Sequence, residues 1–121
     1  MDQIAIVKAG LFRALGHPVR VRILELLRDG DRTVGDLQSL LELDSSSTSQ
    51  HLAALRQQGL VVSVKHGTHV HYSVRDPRVF ELLESARTII VSHLDETRAL
   101  LEELSASEAL PTPLTENGPA Q

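Results

Sequence analysis

The segment from Thr33 to Tyr72 constrains the fold of this chain more than any other part of the sequence. Its first half has apolar residues three and four positions apart, interrupted by a short polar turn near Asp44 and ending at Gly59. Its second half has two runs rich in β-branched residues, with Gly67 between them. The first pattern is typical of two amphipathic helices and the second of a β-hairpin. The segment therefore predicts a helix, a tight turn, a second helix and a two-stranded hairpin.

The second of these helices begins with five small hydroxyl residues in succession, SSSTS at positions 45–49, and Gln50 and His51 follow. Ser and Thr are weak helix formers, so a helix that only packs against a core has no use for so many of them. A helix that enters the DNA major groove does need short polar side chains on its leading turn, where base edges come within reach. The alternative, a helix cap followed by solvated polar residues, accounts for one hydroxyl better than for five.

Charge is unevenly distributed along the chain. The whole sequence is acidic, with 12 Lys and Arg against 16 Asp and Glu, which by itself argues against a nucleic-acid partner. Residues 45–75, however, contain no carboxylate, and their basic and imidazole side chains are Arg56, Lys65, Arg75, His51, His66, His69 and His71. Because phosphates attract cations and repel carboxylates, local charge matters more than the total. Residues 45–75 are therefore the predicted DNA-facing segment, with chance segregation in a Ser-rich stretch as the alternative.

Length and composition indicate one mainly α-helical domain. A chain of 121 residues can bury one core, and its hydrophobic content of 41% includes only 2% aromatic residues, so the core is expected to be aliphatic. The absence of cysteine excludes disulfides, thiolate metal sites and thiol redox sensing. No apolar run approaches the ~20 residues that span a bilayer, and no signal-peptide pattern is present. We therefore expect a cytoplasmic protein without membrane contact.

Three further helices are predicted around this segment. Apolar spacing predicts one from Gln3 to Leu15, and a second begins at Pro18, a residue favoured at the first helical position. The third and longest extends from Asp76 to about Leu104. Its apolar residues alternate by three and four over several heptads, more than a small core can cover, so a partner helix from a second copy is expected. The alternative is a helix that lies across its own domain.

These patterns define the predicted dimer interface and the domain limits. The expected interface residues are Leu11, Val79, Leu83, Ala86, Ile90, His93, Leu94 and Leu101. One domain for DNA binding and dimerisation is expected over residues 1–105. Residues 106–121 are rich in Pro, Ser, Thr and Glu without periodicity, which predicts a disordered tail.

The order of these elements and several local motifs resemble a known family. FRALGHPVRVRILELL, TVGDL, the serine-led helix, LRQQGLV and HVHYSV follow one another as in the ArsR/SmtB winged-helix repressors, from about Leu11 to Leu94. The resemblance implies a winged helix-turn-helix fold, mainly α with a small antiparallel β-hairpin, and a homodimer with long C-terminal dimerisation helices. It also implies an inverted-repeat operator, with the recognition helix in the major groove and the hairpin wing on the backbone or minor groove. An unknown effector would release the DNA.

Carried onto this sequence residue by residue, the resemblance places the serine-led helix against DNA, Arg56 near phosphate and residues 65–69 at the wing tip. The predicted DNA-binding residues are Ser45, Ser46, Ser47, Ser49, Gln50, His51, Arg56, Lys65, His66, Thr68 and His69. The chain departs from the family at Thr48, where an apolar residue commonly packs inward. Either the helix is slightly looser here or the threonine methyl group suffices.

The metal sites of the family are not preserved in this sequence. Thr33 and Gly35 stand where arsenic sensors have a Cys-x-Cys pair, and Arg78 stands where zinc and cobalt sensors have the histidine of Asp-x-His. Ile89 and Ser92 replace the later ligand pair of those sensors. We therefore predict no cofactor. Looser sites for Zn(II) or Ni(II) stay open on the hairpin and on the terminal helix, and their candidate ligands are His66, His69, His71 and His93.

Three classes of function follow from these observations. The first is a sequence-specific DNA-binding transcriptional regulator, a repressor by resemblance, which responds to a small molecule, a partner protein or a metal. The second is a winged-helix protein-interaction module that reaches DNA poorly, an alternative that the acidic total charge favours. The third, an enzyme, is not expected, because the sequence has no cysteine nucleophile, no Gly-x-Ser-x-Gly elbow and no phosphate-binding glycine loop.

Overall fold

The computed structural model describes residues 2–108, and the predicted helices and hairpin are confirmed within that range. The helices are α1 (Gln3–Leu15), α2 (Pro18–Leu26), α3 (Val34–Leu41), α4 (Ser45–Gln57) and α5 (Arg78–Glu108), with a 3-10 turn at Leu27–Asp29. The strands are β1 (Arg32–Thr33), β2 (Val61–His66) and β3 (His69–Val74). Helix α5 continues past the predicted domain boundary at residue 105. The remainder of the predicted disordered tail lies outside the described residues.

Side-chain caps determine where α3 and α4 begin. The Thr33 hydroxyl accepts a hydrogen bond from the Asp36 N–H, and the Asp36 carboxylate accepts one from the Thr33 N–H, both at 3.1 Å. This reciprocal arrangement satisfies two N–H groups at the start of α3. Asp44 caps α4, because its carboxylate accepts from the Ser47 N–H at 2.7 Å. The cap of α4 is thus a carboxylate, and the whole hydroxyl run lies inside the helix.

The three strands form one antiparallel sheet in the order β1-β3-β2. β2 and β3 are the predicted hairpin, and Gly67 makes the turn between them with a φ of 62°. β1 is an addition to the prediction: Arg32 pairs with Tyr72, and Thr33 pairs with His71. A strand of 2 residues is too short to show alternation, and its partner is distant in sequence. The prediction of a two-stranded sheet was therefore incomplete.

The first compact unit extends through Glu81 and has an aliphatic core, as the composition predicted. Its buried apolar residues are Ala14, Ile23, Leu24, Leu27, Leu37, Leu52, Leu55, Leu60, Val61 and Val79. The assignment of Val79 to the dimer interface was wrong, because this side chain is only 7% exposed within its own unit. The heptad pattern gave the wrong prediction because it does not distinguish the core of one chain from the interface between two chains. The first turn of α5 therefore belongs to this core.

The second unit begins at Leu82 and comprises the rest of α5. Most of its large apolar side chains are in contact with solvent; they include Ile89, Ile90, Val91, Leu94, Leu100, Leu101 and Leu104. A helix with this many exposed aliphatic residues has a face that its own unit does not cover. Within residues 2–108, none of the helices has an apolar stretch of the length that a bilayer crossing requires.

Candidate nucleic-acid interface

Helix α4 has its polar residues on one face and its apolar residues on the opposite face. The exposed face carries Ser45, Ser46, Ser49 and Gln50, with Ser47 half-buried beside them. The opposite face carries Thr48, Leu52 and Leu55, each at most 1% exposed. The buried residues hold the helix against the core, and this packing fixes the position of its polar face. Base-edge recognition requires this combination of short hydrogen-bonding side chains and a well-positioned helix.

Thr48 shows how the departure from the family pattern is accommodated. The side chain is fully buried, and its hydroxyl donates a hydrogen bond to the Asp44 carbonyl at 2.9 Å. A buried hydroxyl without a partner would destabilise the fold by ~1–3 kcal/mol, and the bond within the helix avoids that cost. The threonine therefore fills the inward position, and its hydroxyl has a partner there.

His51 lies beside the polar face and is tied to α2. Its half-buried ring packs on the His17 ring at a centroid distance of 4.3 Å. Its Nδ1 accepts a hydrogen bond from Arg20 Nε at 3.2 Å, and the His17 Nδ1 accepts from the Val19 N–H to cap α2. Burial, followed by the nearby charges of His17 and Arg20, lowers the pKa of His51. His51 thus helps to hold α4 on α2, whereas the sequence analysis assigned it to DNA contact alone.

Arg56 connects α4 to the wing, which is the hairpin of β2 and β3. Its exposed guanidinium donates from Nη1 to the Ser63 Oγ on β2 at 3.3 Å. The chain then turns at Gly59, where φ is 73°, and the Gly59 N–H donates to the Arg56 carbonyl at 2.9 Å. A positive φ favours glycine, and this glycine is the residue at which the helical pattern was predicted to end. The Arg56 guanidinium therefore lies between the polar face of α4 and the wing.

The wing exposes the predicted contact residues Lys65, His66, Thr68 and His69. In the strand register, His66 pairs with His69 and Lys65 pairs with Val70. Because successive side chains alternate between the two faces of a strand, the histidines share one face and Lys65 lies on the other. One face of the wing therefore presents imidazoles, and the other face presents an ammonium group.

His71 lies on the histidine face but faces a carboxylate. Its Nδ1 is 3.5 Å from Asp31 Oδ2, and its ring is edge-on to the His66 ring at 5.1 Å. Among the described residues, this shielded nitrogen has no hydrogen bond of good geometry, so the contact with Asp31 becomes an ion pair only when His71 is protonated. Across residues 2–108, no three His, Asp or Glu side chains are arranged to hold a metal ion.

The start of α5 is organised by an ion pair between Asp76 and Arg78. Arg78 Nη2 lies 2.6 Å from Asp76 Oδ2, and Arg78 Nε lies 3.1 Å from Asp76 Oδ1. These side-chain bonds, together with the bond from the Arg78 N–H, lower the pKa of Asp76 to about 2. The carboxylate that opens the Asp-x-His pattern of zinc sensors is therefore engaged here by a guanidinium, which stays protonated and is not a metal ligand.

Several residues of this region were not predicted from the sequence. His17, Arg20 and Ser63 are not among the residues that the sequence predicted for the site. Arg20 and His51 are 31 positions apart, so no local spacing connects them. Asp31 lies outside residues 45–75, so the charge pattern did not reveal a carboxylate beside the wing. Folding alone brings these groups together.

Comparison with known sequences identifies related proteins. Residues 17–63 match the profile described as bacterial regulatory protein, arsR family. The chain is 44% identical over 101 residues to the HTH-type transcriptional regulator Rv0081 of Mycobacterium tuberculosis, an alignment that covers 83% of this chain and 89% of the relative. It is 40% identical over 74 residues to the transcriptional activator HlyU of Vibrio cholerae, covering 61% of this chain and 68% of that protein.

Solved structures of similar proteins have the same fold. The crystal structure of Mycobacterium tuberculosis Rv0081 matches with a TM-score of 0.74 at 40% identity, covering 80% of this chain and 98% of that chain. The homodimeric winged helix-turn-helix DNA-binding domain of Mb0332 from Mycobacterium bovis matches with a TM-score of 0.70 at 27% identity, covering 77% of this chain and 86% of that chain. This chain therefore belongs to the ArsR family and is a DNA-binding transcriptional regulator with a winged helix-turn-helix fold.

Proposed function

We propose that this regulator binds an inverted-repeat operator as a homodimer and represses transcription until an effector changes its DNA affinity. The observation that carries the proposal is the polar face of α4, which is exposed while the opposite face is buried in the core. A recognition helix reads base edges in the major groove with the side chains of its leading turn. The run from Ser45 to Gln50 occupies that turn in α4.

The proposed contacts divide into base readout and phosphate binding. Gln50 is the residue best suited to read a base, because a carboxamide can make two hydrogen bonds to adenine. Arg56 and Lys65 are assigned to phosphates, which set affinity and register without reading sequence. His51 is assigned mainly to holding α4 against α2, because its Nδ1 already accepts a hydrogen bond from Arg20. The remaining proposed contacts are Ser45, Ser46, Ser47, Ser49, His66, Thr68 and His69.

The proposed dimer surface consists of exposed apolar side chains on α1 and α5. On α1, Val7 is 69% exposed and Phe12 is 56% exposed; on α5, Ile90, Leu94 and Leu101 are each 58–59% exposed. Aliphatic residues repeated along two helices are what a second copy would cover. The interface retains Leu11, Leu83, Ala86, Ile90, His93, Leu94 and Leu101 from the prediction, omits Val79 and adds Val7, Phe12, Ile89 and Leu104.

The remaining assignments follow from this function. A dimer that occupies a promoter excludes other proteins from it without further contacts, so repression is the proposed direction, although the relative HlyU is named an activator. We place the protein in the cytoplasm and assign it no catalytic activity. We assign no resident metal, because the Asp76 carboxylate is paired with the Arg78 guanidinium and the wing imidazoles do not converge on one point.

Selection of operators from random DNA duplexes tests this function directly. We expect the selected duplexes to contain two half-sites related by a two-fold axis, with two protein chains bound per duplex. The logarithm of the affinity should fall linearly with the logarithm of the salt concentration, because phosphate neutralisation releases counterions. A reporter gene under the selected operator then gives the direction of regulation. Failure to enrich any duplex, with no salt-dependent binding, would favour the protein-interaction module instead.

A further inference from the structure

We infer that the cleft between α1, α2 and α4 binds a small oxyanion, a carboxylate or a phosphate, which acts on the position of the recognition helix. The cleft has a volume of about 210 Å³, and its lining residues are Gly10, Arg13, Ala14, Arg20, Ala54, Gln57 and Gln58. None of them belongs to the proposed DNA-binding residues or dimer surface. The effect on DNA rests on the proposed function, whereas the binding of the anion does not.

The charge of the lining is entirely of one sign. Two guanidinium groups, Arg13 and Arg20, and two carboxamides, Gln57 and Gln58, line the cleft without any carboxylate. Among residues 2–108, neither arginine forms an ion pair with Asp or Glu. In the same range Arg22, Arg78, Arg87 and Arg98 form such pairs, whereas Arg28, Arg32, Arg56 and Arg75 do not; what distinguishes Arg13 and Arg20 is that they line one cleft together. An oxyanion between Arg13 and Arg20 would supply the missing counter-charge and accept charge-assisted hydrogen bonds from both.

The size of the cleft restricts the ligand to a small one. Pockets for drug-sized ligands have volumes of ~300–1,000 Å³, and this cleft is below that range. Gly10 keeps it open on the α1 side, because a Cβ at that position would lie 3.3 Å from the Gln58 Oε1 and 3.4 Å from its Nε2. A glycine inside a helix is less stable than alanine by about 1 kcal/mol. The close approach of Gln58 gives this glycine a physical reason.

The cleft is connected to the recognition helix in two ways. Ala54 and Gln57 are part of α4, so a ligand here touches α4 together with α1 and α2. Arg20 both lines the cleft and donates to His51 Nδ1, which holds the leading half of α4. A ligand alters DNA affinity to the extent that it binds the free and DNA-bound arrangements differently. An anion that draws Arg20 away from His51 would bind these two arrangements differently.

Titration of the full-length, DNA-free protein with inorganic phosphate at constant ionic strength, with chloride as the balancing salt, tests the site. We expect saturable binding that Arg13→Gln weakens at least about tenfold, since it removes a charge-assisted donor. Arg22→Gln, on the exposed surface of α2, is the matched control and should bind as the parent does. Gly10→Leu favours the helix and displaces only the exposed end of the Gln58 side chain, so it should fold, with an unchanged circular dichroism spectrum, and abolish binding by filling the cleft.

Absence of saturable phosphate and acetate binding, or equal binding by the parent and Arg13→Gln, would overturn the inference. Weaker DNA binding by Arg13→Gln in a protein that does not bind free phosphate would overturn it too, and would make Arg13 a contact to the DNA backbone. If the site exists, replacing chloride by phosphate should change the operator affinity of the parent at least about threefold and leave that of Arg13→Gln unchanged. An equal change in both would reflect general ion effects and would refute the coupling.

Discussion

Helices α4 and α5 have similar apolar spacing, yet within residues 2–108 the apolar face of α4 is buried and that of α5 is exposed. Leu52 and Leu55 of α4 are at most 1% exposed, whereas Ile90 and Leu94 of α5 are 58% and 59% exposed. Both faces contain aliphatic residues that repeat with the helical period. Periodicity therefore identifies an apolar face but does not identify the surface that covers it. For α4 that surface is the chain itself, and for α5 we propose a second copy.

The largest effect is expected from a charge on the uncovered face of α5. Ile90→Asp would bury a carboxylate without a partner in the proposed seam, at a cost of more than ~4 kcal/mol, or about 1,000-fold in the dimer dissociation constant. Sedimentation should therefore give a monomer. Ser92→Asp, an exposed polar position on the same helix, is the control and should stay dimeric. An Ile90→Asp protein that sediments as a dimer would exclude this face from the interface.

The same leucine-to-alanine substitution should have different consequences on α4 and on α5. Leu52→Ala should lower the free energy of unfolding by about 2–5 kcal/mol, because it leaves a cavity in a packed core. Leu101→Ala removes the same atoms from the exposed face of α5 and should instead weaken the dimer, so its effect should grow on dilution. Urea unfolding at several protein concentrations separates the two. Equal, concentration-independent losses would mean that both helices are covered by their own chain.

The polar face of α4 is expected to show a smaller effect, confined to DNA. Gln50→Ala should weaken binding to the selected operator by about 1–3 kcal/mol and relax the preference for one base pair, without changing the melting temperature. Gln3→Ala, an exposed substitution on α1, is the control. Fluorescence anisotropy with the operator and with single-base variants measures both quantities. Unchanged discrimination at every base pair would remove Gln50 from base readout.

The smallest effect concerns pH and the contact of α4 with α2. Because the pKa of His51 is lowered in the folded protein from 6.5, the unfolded chain takes up a proton more readily as the pH falls. Stability is therefore fully retained above about pH 6.5 and decreases as the pH falls through the lowered pKa. Urea midpoints at pH 7.5 and 5.5 measure the decrease. His51→Gln should reduce it and His69→Gln should not; the reverse result would place the sensitivity in the wing.

The sequence predicted the elements of the fold well, because each depends on local spacing. The caps at Thr33 and the turns at Gly59 and Gly67 are short-range features, and hydroxyl groups or glycines mark them. Two errors arose where a residue has two acceptable environments. Val79 fits a heptad seam as well as a core, and β1 is too short for its pattern to be distinguished from a loop.

The candidate site shows the same division between local and long-range features. The polar face of α4 was predicted, because the hydroxyl run and the buried leucines are within one helix. The contacts of His51 with His17 and Arg20, of Arg56 with Ser63, and of His71 with Asp31 were not predicted. Each joins side chains from separate elements, and no spacing along the chain indicates such a contact.

By itself, the sequence determined the family, the order of the elements and the polar face of the recognition helix, because these depend on spacing and residue type alone. The tertiary structure decided that Thr48 could replace an apolar residue, that His51 serves the packing of α4, and that Arg13 and Arg20 line one cleft. These outcomes depend on distances between elements that are far apart in the chain. Burial, hydrogen bonding and charge act across those distances only after the core has formed.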